Sequence, residues 1–501
     1  MLRTTPLALT LTLLAAPLAA QASPYIALDD PLLPALEHLI RRGEIDDPTP
    51  MVRPFRRLDA VRALDSAVAQ RRLIDTALAA TLRSAWADAD TTARWEILGQ
   101  GGFQAYTDAR RDPLHPGGKG SINPYLSLRL QAIFGPVVLA TRPSIEPSLI
   151  NDPDWPGRKD LTVTGRHAEA YVSAQFKWFR LFYGQIDREW RPQEFSGIGL
   201  SALGYARPDF GFEVGNPRYH LTSHSSTLRD VTDSSGTVIN RYFFAHRFQA
   251  QVSKRVALGL WETVVLGGPS RSFDARYRNP VALLLLANEY GLGDDGNVLL
   301  GLDFQWRFAR ATTLSAQFGL DDFQYKNSSD STRAPNRYAF AVSVRGPLGP
   351  KLGWWAGYTQ ASSLAFRTSD PSEAFTDSDV GLGRTFGDND QFALGGSMPV
   401  TRHWLVSPEL TLLRQGQGRL TDPWPTGTAL GDTPPLFIGT VERTWRAALS
   451  VSGRQGPLAV SGQAGLHYLQ NADHVEGKTD TRFVGRIQAT LELGWKGRFK
   501  E

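Results

Sequence analysis

The chain has 501 residues and no cysteine, and its 54 Lys and Arg nearly balance its 50 Asp and Glu. The missing cysteine excludes thiolate nucleophiles and cysteine-ligated metals, and a small net charge without a basic block argues against nucleic acid as a partner. Glycine (47), Trp (13), Tyr (14) and Phe (25) are plentiful, a composition typical of sheets with interfacial aromatic girdles.

Residues 1–22 have the features of a secretory signal peptide. Arg3 precedes an apolar run from Leu7 to Leu18, and Ala20-Gln21-Ala22 has the small-x-small form of a cleavage site. The run is shorter than the about 20 apolar residues that cross a bilayer as a helix. A buried N-terminal helix is the alternative interpretation. The sequence therefore predicts export, with cleavage after Ala22 and no helical anchor.

Residues 23–110 are predicted to form a small helical plug or periplasmic region. The apolar residues from Pro31 to Arg42 follow the i, i+1, i+4, i+7, i+8 spacing of one helix face, with Asp30 as the N-cap. A second helix is predicted from Arg57 to Gln70, and a third, rich in alanine, from Leu73 to Ala89. Because each helix is short and amphipathic, each needs a surface to pack against.

Residues 111–501 are predicted to form an antiparallel transmembrane β-barrel, after a Gly- and Pro-rich linker within 101–120. From about residue 121 the apolar period changes from 3.6 to 2. In 297–308, 337–345 and 486–496 one face is apolar and free of charge, while the other face is polar. A Lys or Arg on a lipid-facing wall costs roughly 2–4 kcal/mol at the midplane. The clean faces therefore favour a membrane barrel over a soluble sandwich or propeller.

The expected number of strands follows from the length of the alternating region. From residue 121 to the end there are 501 − 120 = 381 residues, and a spanning strand of about 9–11 residues adds a comparable share of turn and loop. About eighteen strands are expected, with the helices of residues 31–100 as the filler of the lumen. Aromatic residues near predicted strand ends are candidates for the interfacial girdles: Trp306, Phe308, Trp354, Trp355, Trp404, Trp495 and Phe499.

Several segments resemble the capsule assembly Wzi family. They are Tyr25-Ile26, Leu28-Asp29-Asp30-Pro31, Leu36-Glu37-His38-Leu39, Arg42-Gly43, Arg53-Pro54, Arg56-Arg57-Leu58-Asp59, Gly184 to Trp190, Pro208-Asp209-Phe210 and Asp295-Gly296-Asn297. The resemblance implies an outer-membrane barrel of about eighteen strands whose lumen is occluded by an N-terminal helical bundle. It also implies binding of capsular or related exopolysaccharide, which members help to attach or organise at the cell surface.

One short segment combines the side chains that bind sugars. An aromatic face stacks on sugar C–H groups, while Arg, Asp and amide groups bind hydroxyls. The alternative is that the aromatic residue belongs to a girdle and the charges line the lumen. The candidate polysaccharide-binding residues are Asp187, Arg188, Trp190, Arg191, Arg207 and Asp209. In long polar loops predicted to be extracellular, Tyr325, Phe375 and Trp424 are further candidates.

No catalytic, metal or cofactor motif stands out, so a non-enzymatic role is predicted. The chain has no nucleophile elbow, zinc-protease motif, phosphate loop or dinucleotide fingerprint. His220 and His224 have i, i+4 spacing, but their surroundings indicate a strand or loop. The acidic segments 294–297 and 387–390 are interpreted as solvated turns rather than calcium sites.

Three functions stay open at the level of sequence. The first is a surface protein that binds and organises polysaccharide, with membrane lipid and the polysaccharide export machinery as further partners. The second is a porin or specific channel, which a wide polar lumen would suit. The third is a periplasmic anchor to the cell wall. It rests on residues 36–43 and 53–64, whose pattern is faintly similar to an S-layer homology motif.

Overall fold

The structure is a computed structural model that describes residues 22–87, 93–233, 235–273, 279, 281–282, 296–309, 311–322 and 335–499. The predicted signal peptide up to Gln21 and the candidate Tyr325 lie outside the described residues, as do Asp294 and Asp295 of the acidic segment 294–297.

Three helices open the described chain, and each lies within three residues of its predicted bounds. They are α1 (Leu33–Arg41), α2 (Arg57–Ala69) and α3 (Thr76–Trp86). The predicted N-cap of α1 is wrong by two residues, because Leu32 takes that position and the Asp30 carboxylate accepts a hydrogen bond from its amide at 2.9 Å. No helix in the described ranges has the length and apolar character needed to cross a membrane.

The helices share an apolar core and dock on the barrel through α1. Leu36 and Leu39 are buried in that core. On the barrel side, His38 Nδ1 lies 2.8 Å from Ser397 Oγ, and Arg42 donates to the carbonyl of Leu352 at 2.7 Å. Burial, with Arg41 and Arg42 nearby, lowers the pKa of His38 to about 3, so this ring is neutral. Residues 36–43, part of the pattern that is similar to an S-layer homology motif, thus pack against the other helices and the barrel wall.

The described strands close into one eighteen-stranded antiparallel barrel, as predicted. Outside it, β1 (Val52–Arg53) pairs with β7 (Glu189–Trp190), and β16 (Thr376–Asp377) pairs with β17 (Val380–Gly381). The barrel strands are β2 (Arg94–Tyr106), β3 (Ser121–Phe134), β4 (Val137–Ile145), β5 (Gly165–Gln175), β6 (Phe179–Gln185), β8 (Pro208–Gly215), β9 (Tyr219–Thr232), β10 (Val238–Ser253), β11 (Val256–Pro269), β12 (Asn297–Arg307), β13 (Thr313–Asp322), β14 (Arg337–Leu348), β15 (Leu352–Ala361), β18 (Asn389–Thr401), β19 (Trp404–Gln415), β20 (Glu442–Gln455), β21 (Leu458–Gln470) and β22 (Thr479–Arg498).

The barrel starts earlier than the predicted boundary at residue 111. Strand β2 covers Arg94–Tyr106 and pairs with both β3 and β22, which closes the barrel at a seam between its first and last strands. Part of this strand falls in the predicted linker, because Gly101 and Gly102 indicate a turn when the sequence is considered alone. Gly102 instead allows a close approach, since a Cβ there would lie 2.0 Å from the carbonyl oxygen of Ala489 in β22.

The two ends of the barrel differ in the length of their connections. At one end lie short turns such as 135–136, 254–255, 402–403 and 456–457, together with the outer ends of β2 and β22. We call this the short-turn end. At the other, the long-loop end, lie connections such as 146–164, 186–207, 362–388 and 416–441, which contain α4 (Thr428–Gly431) and two short 3-10 helices, Pro147–Asn151 and Pro371–Glu373. Arg42 also donates to the carbonyl of Pro350 in a short turn, so α1 sits at the short-turn end.

The wall alternates as the sequence predicted. In β3, Leu126, Leu128 and Leu130 are exposed on the outside, while the intervening Ser127 and the following Gln131 are buried inside. On the predicted lipid face of 297–308, Leu302, Trp306 and Phe308 are exposed, whereas Val298 is buried. On that of 486–496, the exposed residues are Ile487, Leu491, Leu493 and Trp495. Outward apolar and inward polar side chains are the pattern of a membrane-spanning barrel.

Part of the lumen is filled by an apolar core, which the expected polar lumen did not include. This lumen core contains Trp190, Phe195, Ile198, Leu200, Leu228, Phe243, Ala245, Trp261, Val265, Leu299, Ala339, Ala341, Trp355, Ala361, Ala365, Phe366, Phe375, Leu382, Ala393 and Leu420. The girdle prediction for Trp355 is therefore wrong. Trp354 and Trp355 are neighbours in a strand, so their side chains point to opposite faces.

Candidate functional site

Residues 186–207 form a loop that crosses the lumen from the long-loop end to the N-terminal helices. Its strand β7 pairs with β1, which places Trp190 opposite Val52. Beyond β7, the Gln193 side chain donates to the carbonyl of Glu37 in α1 at 2.7 Å. The filling of the lumen therefore has two parts, helices from one end and this loop from the other, and they are joined by backbone pairing.

Glu194 fixes the tip of this crossing loop. Its fully buried carboxylate lies 3.9 Å from Arg41 Nε and 3.6 Å from Arg345 Nη1, and it accepts a hydrogen bond from Ser343 at 2.8 Å. Arg41 belongs to α1, whereas Arg345 and Ser343 belong to β14. One carboxylate thus joins the loop, the helices and the wall, and its removal would leave buried guanidinium charge without compensation.

A polar cavity of about 530 Å³ lies between the crossing loop and the strands near the β2–β22 seam. We call it the seam cavity. Lumen-facing Ser and Gln residues of β2 and β19–β22 form its wall, and its volume falls in the range of roughly 300–1,000 Å³ that is typical of ligand pockets. The charged residues that line it are Asp29, Arg111, Glu146, Asp152, Arg166, Asp187, Glu189, Arg191 and Arg486.

Asp187, one of the predicted residues, lies on the seam cavity with unused hydrogen-bonding capacity. Its Oδ2 is 3.9 Å from Arg111 Nη1, beyond hydrogen-bond distance, and its buried Oδ1 has no hydrogen-bond partner. Burial raises the pKa of Asp187, although Arg111 opposes this. Most buried polar atoms in native proteins have hydrogen-bond partners, so a buried carboxylate oxygen without one beside a cavity is a feature that stability does not explain.

Arg111 and Tyr205 form an aromatic and cationic corner of the seam cavity. The guanidinium carbon of Arg111 lies 4.0 Å from the centre of the Tyr205 ring, and its Nη1 donates to the carbonyl of Gly204 at 2.8 Å. The Tyr205 hydroxyl donates to Asp152 at 2.6 Å, which fixes the ring. Fixed guanidinium, carboxylate and phenol groups around one cavity suit a ligand rich in hydroxyls.

Arg191, another of the predicted residues, also lies on the seam cavity. Its side chain forms an ion pair with Glu189, and its backbone amide donates to the carbonyl of Met51 at 2.8 Å. Burial raises the pKa of Glu189, although Arg191 opposes this. Two ion pairs therefore lie at the cavity, Asp187 with Arg111 and Glu189 with Arg191.

Arg188, Arg207 and Asp209 lie away from the seam cavity. Arg188 Nε is 2.8 Å from Asp209 Oδ2, and His224 Nδ1 is 3.3 Å from the same oxygen. Arg207 and Asp209 line a void of about 30 Å³. A void of this size holds little more than a water molecule, so it has no room for a sugar.

Trp190 is not available for sugar stacking, contrary to the sequence-based prediction. It is 1% exposed and belongs to the lumen core. Its carbonyl accepts a hydrogen bond from Gln317 at 2.8 Å. A covered ring has no face to offer a ligand, and the girdle alternative fails for the same reason. The sequence alone does not show that Trp190 is buried, because a buried aromatic residue and a sugar-binding one can have the same polar neighbours in the chain.

The loop aromatics are also placed differently from the prediction. Phe375 is buried in the lumen core. Trp424 is partly covered by the guanidinium of Arg337, which lies 5.1 Å from its ring centre. The aromatic residues that do line the seam cavity are Tyr106 and Tyr205. Neither stood out in sequence, since one ends a strand that was read as a linker and the other follows a run of small residues.

Within the described parts of the chain, no group of three or more His, Cys, Asp or Glu side chains is arranged to hold a metal ion. His220 and His224 both lie on β9. The Asp388 carboxylate in the segment 387–390 accepts hydrogen bonds from the amides of Gly418, Phe437 and Ile438, so it holds loops together.

No protein-family model matches the chain, and no curated protein matches it in sequence. Among solved structures, the chain is similar in fold to Wzi of Escherichia coli. The TM-score is 0.62 at 14% sequence identity, and the match covers 94% of this chain and 99% of Wzi. Wzi is described as an outer-membrane protein involved in group 1 capsule assembly and as a carbohydrate-binding β-barrel. The resemblance inferred from sequence is thus confirmed at the level of the fold.

Two further solved structures show a weaker likeness. OprD of Pseudomonas aeruginosa matches with a TM-score of 0.44 at 9% identity, over 80% of this chain and 95% of its own. OccAB4 of Acinetobacter baumannii matches with a TM-score of 0.44 at 9% identity, over 82% of this chain and 99% of its own.

Proposed function

We propose that the protein is a non-enzymatic outer-membrane protein that binds capsular or related exopolysaccharide and helps attach or organise it at the cell surface. The seam cavity carries this proposal. It combines the rigid Arg111–Tyr205 corner with the incompletely paired carboxylate of Asp187. The Wzi-like fold supports the same class of ligand, because Wzi is a carbohydrate-binding barrel.

The orientation of the barrel supports access of surface polymer to this cavity. Outer-membrane barrels keep their long loops outside and their short turns in the periplasm. Tyr106 and Arg486, which line the seam cavity, lie near the long-loop ends of β2 and β22. Polymer at the cell surface would therefore approach the seam cavity through the long-loop end.

Deletion of the gene tests the proposed role. The mutant should still synthesise polymer but release more of it from the cell surface, and complementation should restore retention. The measurement is the ratio of cell-bound to released polymer after gentle washing. Equal retention in the wild type and the deletion strain would rule the proposal out.

Export through a cleaved signal peptide is part of the proposal. Ser23, the expected first residue of the mature chain, is buried at the short-turn end, where its amide donates to Gln175 at 3.0 Å. Because short turns of outer-membrane barrels face the periplasm, a mature N-terminus at this end would lie on the periplasmic side. N-terminal sequencing of the protein from outer membranes should give Ser-Pro-Tyr-Ile, and an intact Met1 would contradict cleavage.

A specific channel is the second candidate, favoured by a further polar cavity. It has a volume of about 400 Å³ and shares Asp29, Ser461 and Gln488 with the seam cavity. It reaches Gly456 and Lys496 at the short-turn end, so the two cavities together follow the seam across the lumen. Planar-bilayer recording separates the candidates, because a channel gives stable conductance steps and a filled barrel passes little current.

A further inference from the structure

A second ligand-sized cavity, of about 460 Å³, lies at the short-turn end between residues 47–62 and the strands β5 to β10. We call it the basic cavity. It is separated from the seam cavity by the crossing loop, because Arg188 lines the basic cavity while Asp187 and Arg191 line the seam cavity. Its floor includes His224, and its rim includes the turn at 176–178.

The walls of the basic cavity carry more cations than carboxylates. Three cations are matched by carboxylates that line the same cavity: Arg53 with Asp47 at 3.2 Å, Arg56 with Asp59 at 2.7 Å, and Arg180 with Glu213. Each of these pairs is neutralised within the protein and leaves no charge for a ligand. A fourth cation, Arg188, is paired with Asp209 in the wall behind.

Arg62 and Lys177 provide the surplus. Both are exposed and both line the cavity, and neither has an ion-pair partner among the described residues. Arg62 belongs to α2 and Lys177 to the turn between β5 and β6, so the two charges face the cavity from different elements. Two unmatched cations on different elements of one cavity attract an anionic group that enters it.

The remaining lining suits a sugar rather than a bare anion. Trp178 lies at the rim and is 54% exposed, with Lys177 Nζ 5.5 Å from its ring centre, so the exposed part of the ring can contact a ligand beside this cation. The amide groups of Asn216 and Gln249 also line the cavity. Their oxygens already accept hydrogen bonds, that of Asn216 from the amides of Arg218 and Tyr219 and that of Gln249 from Arg247, so their NH2 groups are left to donate to ligand hydroxyls. Aromatic faces with amide and hydroxyl-binding groups are the usual elements of saccharide recognition.

We propose that the basic cavity binds an anionic saccharide segment, one that carries carboxylate groups, from the periplasmic side. The negative groups lie between Arg62 and Lys177, and a sugar ring stacks on Trp178. This gives the protein a glycan site at the end opposite the seam cavity. The site does not depend on the proposed surface function, because none of these three residues lines the seam cavity.

The test compares two trisaccharides on the full-length protein in a non-glycosidic detergent. Trigalacturonate carries three carboxylates and maltotriose carries none, and binding is followed by tryptophan fluorescence and calorimetry. Trigalacturonate should bind at least about tenfold more tightly, and R62E/K177E should weaken it by about tenfold or more, since two charge-assisted contacts are lost. Trp178→Phe should remove most of the fluorescence change.

The matched control is K254E/K351E. It makes the same change of net charge at the same end, in short turns that do not line the cavity. Trigalacturonate affinity should stay within about twofold of wild type in this control and in Arg111→Ala, whose site is in the seam cavity. Equal affinity for the two trisaccharides, or equal weakening by both charge reversals, overturns the proposal. Full displacement of trigalacturonate by phosphatidylglycerol also overturns it, because a lipid headgroup would then be the occupant.

Discussion

Asp187 and Arg111 face each other on the seam cavity with 3.9 Å between Oδ2 and Nη1. This distance is too long for a hydrogen bond, and the second carboxylate oxygen is buried without a partner. The arrangement costs folding free energy, because a buried acceptor without a donor loses its hydration. A ligand hydroxyl between the two groups would accept from the guanidinium and donate to the carboxylate.

Arg111→Ala should weaken binding of surface polysaccharide purified from the source strain by about tenfold, since one charge-assisted hydrogen bond and one stacking surface are lost. Calorimetry on the detergent-solubilised protein measures the change. Arg158→Ala is the control, because Arg158 is exposed and forms a surface ion pair with Asp160, away from the lining of the seam cavity. Unchanged affinity in Arg111→Ala would remove the seam cavity as the binding site.

Asp187→Asn should change how the stability of the protein depends on pH. Burial raises the pKa of Asp187 in the folded state above its value of about 3.9 in an unfolded chain. Between the two values the folded state binds more protons, so the wild type loses stability as pH rises through this window. The Asn variant has no such loss. It should therefore melt at a higher temperature than wild type at pH 8, and the difference should disappear as the pH falls towards 4. A difference in melting temperature that stays constant from pH 8 to pH 4 would contradict the raised pKa of Asp187.

Trp190→Ala should destabilise the folded barrel by about 3–5 kcal/mol, because it leaves a large cavity in the lumen core. Trp190→Phe should cost less, since most of the volume is kept. Urea unfolding followed by heat-modifiable migration on a gel measures both. A loss of polysaccharide affinity with unchanged stability would show instead that the ring contacts ligand.

The fold was largely predictable because alternation is a local property of the sequence. The alternation in 297–308 and 486–496 is as predicted, although Val298 is buried in a small apolar cluster, and the eighteen strands follow from length and strand size. The start of the barrel was missed because Gly101 and Gly102 interrupt the alternation of β2. Nothing in a single strand shows that a glycine serves a close approach to β22 rather than a turn.

The candidate site was only partly predictable, because it depends on which way a long loop folds. Asp187 and Arg191 line the seam cavity, but Trp190 between them turns into the lumen core. Arg111 and Tyr205 were missed, since they meet these residues only after the strands close at the seam. The contacts that form the site join distant parts of the chain, and no local pattern records them.

Asp388→Ala should loosen the loop at 416–441. The Asp388 carboxylate accepts hydrogen bonds from the amides of Gly418 at 2.9 Å, Phe437 at 2.6 Å and Ile438 at 3.0 Å. Its loss leaves three amides without an acceptor at the base of the loop. Limited trypsin digestion should then cut faster after Arg419, while Asp432→Ala, an exposed change in the same loop, should digest like wild type.

Glu194→Ala should weaken the attachment of the filling to the barrel wall. The carboxylate lies between Arg41 of α1 and Arg345 of β14 and is fully buried. Removing one partner from a buried ionic network costs about 3–5 kcal/mol, because the remaining charges stay in a dry environment without compensation. The crossing loop and α1 should therefore separate from β14 more often than in wild type.

Planar-bilayer recording detects this separation, because a gap between filling and wall admits ions. Glu194→Ala should show frequent, variable openings, whereas wild type should stay nearly silent if the filling closes the lumen. Glu194→Gln keeps the acceptor for Ser343 but loses the charge, so its frequency of openings should lie between those of wild type and Glu194→Ala. Glu476→Ala, an exposed change near the long-loop end, should match wild type. The same stable conductance steps in Glu194→Ala and wild type would show that ions pass along the polar cavities at the seam. That result would support the channel function and contradict a lumen closed by the filling.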